Sequence, residues 1–410
     1  MRILALTSWW PEPANNGSRL RIANLLRALA QKHEIHLVSF RQEAVSAQQI
    51  QRMLRICASV DVVPQRVWRP QPGEQIVSLW RSEPASVRAT WNPEFAARVG
   101  ERATDARPDV VVAFEIDTAP YALHVARAPR LLEELEVGNI HAHYVNQTST
   151  HRRLRAWLTW RKHASYVQRL LRHFDACTVV SDNEQQLVRR IAPEMEAIHV
   201  LPNGADVHGC ARDWGSPEPD TLIYPGALTY DANFDAVKYF ISEIFPRVRH
   251  VRPGVRFVVT GAAPPELRAA LPQAEGVHFT GYVDDVRSLI ARSWCEVVPL
   301  RQGGGTRLKV LEALALGTPV VSTPKGVEGL DLKQDEHVLI AQTPGEFAAA
   351  TVRLLEEPEL RSRLASAGRQ IVAQKYDWSS IGQRLVDLVA ALAPHTVVQS
   401  KRHLPGQISV

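Results

Sequence analysis

Apolar residues along this chain recur in two alternating rhythms. Short segments rich in apolar residues at 3–7, 36–40, 110–114, 130–135 and 176–180 fit central strands. Between the first two, Ile22, Leu25, Leu26 and Leu29 are spaced by three or four, which predicts a helix over 18–32 with one inward face. Strands that alternate with helices imply crossover connections, and hence a parallel sheet covered on both sides. Residues 42–90 lack a clear period; helices and a variable loop carrying Pro70, Pro72 and Gly73 are expected there.

The rhythm breaks at 204–219, where glycine, proline and short polar residues gather, including Gly215-Ser216-Pro217-Glu218-Pro219. It resumes with strands at 222–224, 256–260, 278–280, 295–299, 319–322 and 337–340, and with helices at 233–244 and 358–374. Asp377-Trp378-Ser379 opens a last helix that runs to about residue 392. The expected organisation is an N-terminal domain over 1–203, a linker over 204–219, a second domain over 220–376, a closing helix over 377–393 and a loose tail over 394–410. A chain of 410 residues has room for two such cores, at roughly 100–200 residues per domain.

Composition narrows the setting. A hydrophobic content of 45% with 22% charged residues fits a water-soluble globular protein, and no run approaches the roughly 18 apolar residues of a membrane span. The first ten residues are apolar, but Asn15, Asn16 and Arg19 follow with no small-residue cleavage site, so a first strand is expected there and not a signal peptide. Cys57, Cys177, Cys210 and Cys295 lie far apart, which argues against a zinc site and against a disulfide framework. A reducing cytoplasm is the expected location.

The net charge of +5 is unevenly spread: no Asp or Glu lies between Glu136 and Asp175, and residues 151–173 hold seven Arg or Lys. Trp157, Trp160, Ala164, Val167, Leu171 and Phe174 make a helical stripe through that segment. Such a helix fits peripheral contact with an anionic inner membrane face. It fits equally a helix packed on a core with a solvated basic face, and that reading is preferred. No stacking platform accompanies the charge, so nucleic acid is not an expected partner.

Chemistry concentrates in Gly303-Gly304-Gly305-Thr306-Arg307-Leu308-Lys309-Val310-Leu311-Glu312. Glycines let backbone approach a ligand closely, and the free N–H groups at a helix start favour phosphate oxygens. Lys309 and Glu312 are three apart and so share a helix face, the lysine placed for a diphosphate and the glutamate for a ribose. Read alone, the stretch is as well explained by a turn and a solvated Lys/Glu pair.

With Ala313-Leu314-Ala315-Leu316-Gly317-Thr318-Pro319-Val320-Val321, the stretch resembles the donor-site signature of the retaining family 4 (group 1) GT-B glycosyltransferases. The resemblance extends to Pro202-Asn203-Gly204-Ala205-Asp206, to Tyr224-Pro225-Gly226 followed by Asn233, and to Phe279-Thr280-Gly281-Tyr282-Val283. It implies an α/β chain of two Rossmann-like domains facing each other across a cleft. It also implies transfer of a hexose from a nucleoside diphosphate sugar to a glycan or glycolipid hydroxyl, with retention, no metal, and no cofactor besides that co-substrate. Donor contacts are then expected from Gly17, Gly226, Gly281, Tyr282, Val283, Gly304, Gly305, Thr306 and Glu312, with Arg307 and Lys309 on the diphosphate.

Two departures stand out. The family's usual signature carries a second glutamate eight positions before Glu312, where this chain has Gly304, and Asn16 replaces the first of two glycines before the first helix. Glu115 and Asp117 follow the 110–114 strand and could orient an acceptor hydroxyl, although ordinary loop carboxylates fit that position too; His141 and His143 are similar but weaker candidates. Arg19 and Arg21 read as solvated helix residues or as added positive potential. A sugar-nucleotide 2-epimerase of the same fold and a non-catalytic nucleotide-sugar scaffold are the alternatives.

Overall fold

The computed structural model describes residues 1–66, 84–303, 305 and 307–393. Gly304, Thr306, the loop with Pro70, Pro72 and Gly73, and the tail over 394–410 lie outside the described residues. The chain forms two parallel sheets. The first has the order β3-β2-β1-β4-β5-β6-β7, from β1 (Arg2–Thr7), β2 (Glu34–Arg41), β3 (Ser59–Pro64), β4 (Val110–Phe114), β5 (Arg130–Glu133), β6 (Ala176–Val179) and β7 (Ile198–Val200). The second has the order β10-β9-β8-β11-β12-β13, from β8 (Glu218–Pro225), β9 (Arg256–Thr260), β10 (Val277–Gly281), β11 (Ser293–Val298), β12 (Val320–Ser322) and β13 (Leu339–Ile340).

Central strands are apolar throughout because helices cover both faces: β4 is buried at every position, and β1 at every position after Arg2. The architecture is the expected α/β pair of Rossmann-like halves.

Three local features differ from the periodicity reading. Residues 42–90 contribute the expected helices, Ala47–Met53 and Ala85–Thr90, but also an unforeseen edge strand, β3, whose Asp61 pairs with Arg102 at 2.8 Å; a polar residue inside an edge strand hides the apolar rhythm. Strand β7 is three residues long, too short to carry a period. Strand β8 starts at Glu218, inside the expected linker, because Glu218 N–H bonds the Arg292 carbonyl at 2.7 Å and draws the chain into the sheet early.

The helix Trp378–Leu392 returns to the first sheet. Its start is capped by Asp377, which accepts from the Ser379 and Ser380 N–H groups. Its face of Ile381, Leu385 and Val389 joins Ile22, Leu25, Leu26 and Leu29 of the Gly17–Ala30 helix in one core. Gly382 lies at the crossing, where a Cβ would stand 2.5 Å from the Ala28 Cβ. Replacing Gly382 with Leu forces these helices apart, and a denaturant titration is expected to read a loss of about 1–3 kcal/mol. An unchanged midpoint would mean that this close approach does not hold the return helix.

Candidate functional site at the cleft

The site is built on strand ends. Strand β8 ends at Pro225, and Gly226 turns with φ 154°; a Cβ there would meet Asn233 Nδ2 at 2.8 Å and Lys309 Nζ at 3.0 Å, so backbone alone fits. Gly261, after β9, is equally constrained, since its Cβ would stand 2.7 Å from the Ala227 nitrogen. Gly261 N–H bonds the Gly281 carbonyl at 2.8 Å, so the ends of β8, β9 and β10 converge on bare backbone. Tyr282 beyond it is 72% exposed, and Val283 is half-buried.

The helix Leu308–Leu316 brings Lys309 into this corner. Its half-buried ammonium donates to Asn233 Oδ1 at 3.1 Å and sits 3.8 Å from the centre of the Tyr224 ring. Tyr224 Oη donates to the same Asn233 oxygen at 2.7 Å, and Asn233 Nδ2 donates to the Ala227 carbonyl at 2.9 Å. Burial pushes the Lys309 pKa down to about 7, with neighbouring Glu296 opposing the shift and Arg307 adding to it.

Arg307 is 6% exposed and braced by carbonyls: Nε donates to Lys325 O at 3.2 Å and Nη2 to Gly303 O at 2.9 Å, with Glu328 at 3.8 Å. Glu312 lies half-buried one turn beyond Lys309, and burial raises its pKa against the pull of Arg287.

The opposite wall comes from the first sheet. Gly17 faces the second half directly, since its Cβ would lie 3.3 Å from Leu308 Cδ1. Asn16, standing where a second glycine is usual, caps the helix by accepting from Arg19 N–H at 2.9 Å. Glu115, at φ 63°, accepts hydrogen bonds from the Ser8 and Ser18 hydroxyls, and burial lifts its pKa to about 7. Asp117 is exposed on the same loop. A cavity of about 340 Å³ opens between the two walls, lined by Glu136, Asn139, His141 and Glu184 on one side and Gly305 and Lys325 on the other.

Two readings of basic residues are corrected. Arg21 is wholly buried, so it is neither solvated nor a source of free positive potential: its guanidinium is paired with Glu133 and donates to the Leu201 and Pro202 carbonyls at 2.9 and 3.0 Å. Arg19 is also buried, bonded to Asn15 Oδ1 at 3.2 Å.

Gly261 and Glu296 belong to the site but to none of the sequence motifs. Glu296 is fully buried in β11 with no hydrogen-bond partner on either carboxylate oxygen. A charge inside the apolar run Cys295-Glu296-Val297-Val298 is the signal that points to it. Among the described residues no group of three or more His, Cys, Asp and Glu is placed to hold a metal ion, and no helix is long and apolar enough to cross a membrane. All four cysteines are free and buried.

A family model described as glycosyl transferase 4-like domain matches residues 16–204, and one described as glycosyl transferases group 1 matches residues 219–357. The chain belongs to the group 1, GT-B glycosyltransferases. This glycosyltransferase-family chain is 28% identical over 232 residues to the glycogen synthase of Mycobacterium tuberculosis, covering 52% of this chain and 53% of that protein. It is 25% identical over 146 residues to the glycosyltransferase 1 domain-containing protein 1 of Xenopus tropicalis, covering 34% and 42%. The chain thus spans about half the length of the curated relatives it matches.

In fold it is similar to the Anabaena HepE protein crystallised with UDP, at a TM-score of 0.63 and 15% identity over 95% of this chain and 100% of that one. It is likewise similar to the sucrose-phosphate synthase of Thermosynechococcus elongatus, at 0.65 and 17% over 96% and 99%.

The lysine environment has a sign that can be measured. Lys309 titrates near 7 in the folded protein against 10.5 ordinarily, so the unfolded chain binds more protons between those values and stability rises with pH across that window. Lys309→Met is expected to flatten that rise in denaturant titrations run from pH 6 to 10. A slope identical to wild type would show that the ammonium is not desolvated.

Proposed function

We propose that this chain is a retaining hexosyltransferase that moves a sugar from a nucleoside diphosphate sugar to a hydroxyl of a glycan or glycolipid acceptor. The observation that carries the reading is the seat of Lys309, an ammonium held over Tyr224 by Asn233 beside the bare backbone of Gly226. A partly desolvated cation next to Arg307 gains most from a neighbouring anion, and a leaving diphosphate gains negative charge as its glycosidic bond breaks. Lys309 and Arg307 therefore favour the transition state over the ground state without calling for a metal. Glu312 holds the ribose, and the backbone at Gly281, Tyr282 and Val283 takes the base.

Retention rests on the family resemblance. The acceptor attacks from the face that the diphosphate leaves, and the departing phosphate helps take the acceptor proton. Glu115, lifted towards neutrality at the end of β4, orients the acceptor hydroxyl.

Peripheral contact at an inner membrane face would bring a lipid-linked acceptor to the cleft. The helix Thr150–Leu171 buries Val167 and Leu171 in the core yet leaves Leu154 and Leu158 exposed at 56% and 43% beside Arg152 and Arg155. Binding to anionic vesicles at low salt, lost in a Leu154→Asp, Leu158→Asp double variant, is the expected outcome. Equal binding by the double variant would remove this helix from the proposal.

Thermal shifts measured with a panel of nucleoside diphosphate sugars test the central reading, because a true donor raises the melting temperature by mass action. Lys309→Ala is expected to lose that shift and to lower transfer by about 100-fold or more, the scale of one lost transition-state contact. Above about pH 7 the wild-type affinity should weaken by up to about tenfold per pH unit as the ammonium of the unliganded protein deprotonates. Stabilisation by no member of the panel, or steady interconversion of a sugar nucleotide without acceptor, would overturn the transferase reading.

A further inference from the structure

Glu136 faces the cleft but has no part in the transfer chemistry proposed above. It lies three residues beyond Glu133, where β5 ends, on the wall opposite the glycine loop. Its carboxylate accepts a hydrogen bond from the Gly305 N–H across the cleft. Asn139 Nδ2 donates to its Oε1 at 2.6 Å, and Arg307 acts on it electrostatically.

The turn that carries Glu136 is fixed from behind. Glu184 accepts from Val137 N–H at 3.0 Å and from Gly138 N–H at 2.8 Å, and a Cβ at Gly138 would stand 2.1 Å from Glu184 Oε1. The carboxylates of the cavity therefore differ in what they have left to offer. Glu184 is committed to that turn, and Glu328 is paired with Lys325. A carboxylate has about four acceptor positions, and the bonds from Asn139 and Gly305 leave Glu136 able to accept more.

The cavity beside it is polar, with Asn139, His141, Asn183 and Arg190 on its wall, and a Cβ at Gly305 would meet nothing within 4 Å. Room, hydrogen-bonding side chains and a neighbouring cation suit a polyhydroxyl group attached to a diphosphate, whereas an apolar group would leave these side chains without partners.

We propose that Glu136 is a specificity-determining residue that accepts hydrogen bonds from hydroxyls of the donor's sugar, so that the N-terminal wall reads the group carried by the diphosphate. The inference rests on the donor-binding reading above.

The test compares dissociation constants of wild type, Glu136→Ala and Glu136→Gln for two probe pairs, UDP with UDP-glucose and GDP with GDP-mannose. In the pair that wild type binds better, Glu136→Ala is expected to weaken the sugar nucleotide by about 10- to 100-fold while the bare diphosphate stays within about twofold, and Glu136→Gln, which keeps one acceptor oxygen, falls between. The bare diphosphate also reports folding, since a collapsed variant would lose it as well.

An unchanged ratio of the two constants overturns the proposal. So does tighter binding of the bare diphosphate by Glu136→Ala, which would make Glu136 an internal competitor for the phosphate site. Failure of wild type to bind either diphosphate is a different failure, because it removes the donor-binding reading itself.

Discussion

The buried guanidinium of Arg21 organises the passage between the two sheets. It joins the first helix to Glu133 at the end of β5 and to the Leu201 and Pro202 carbonyls, where the chain leaves the first sheet. A charge with no access to water is tolerable only when its donors are met, and here carboxylate, carbonyl and Asn203 Oδ1 oxygens meet them. These contacts lie at the end of β5, three residues before Glu136, whose turn is held by Glu184. The return helix Trp378–Leu392 completes the tie by packing its apolar face on the helix that carries Arg21.

The cleft is made from groups that would be ordinary in water. Lys309 gains its character from Tyr224, Asn233 and the absence of a side chain at Gly226, which together hold an ammonium where solvation is poor. Fully buried Glu296 lies behind it and favours the charged lysine, although both its own oxygens lack hydrogen-bond partners. Burial and opposite charge thus act against each other at one residue, and burial wins, which leaves Lys309 poised near neutral pH.

Carboxylates in the first half show the same sorting by environment. Glu133 is taken up by Arg21, Glu184 by a turn and Glu115 by the Ser8 and Ser18 hydroxyls, whereas Glu136 reaches across the cleft to Gly305. Identical side chains take structural or chemical parts according to which donors reach them first.

Sequence alone determined the parallel αβ architecture, because strands buried on both faces must be apolar throughout and crossover helices must be amphipathic. It also determined the neighbourhood of Arg307, Lys309 and Glu312, since glycine-rich turns and helix spacing are local properties. Edge strand β3, with Asp61 inside it, and three-residue β7 escaped because neither carries a period. What each charge meets was decided by tertiary structure: Arg21 became a buried tie, Glu296 a hidden neighbour of Lys309, and Glu136 a contact to Gly305, which lies in the other half of the chain. Long-range pairing depends on how strands order in the sheets, and no local pattern encodes that order.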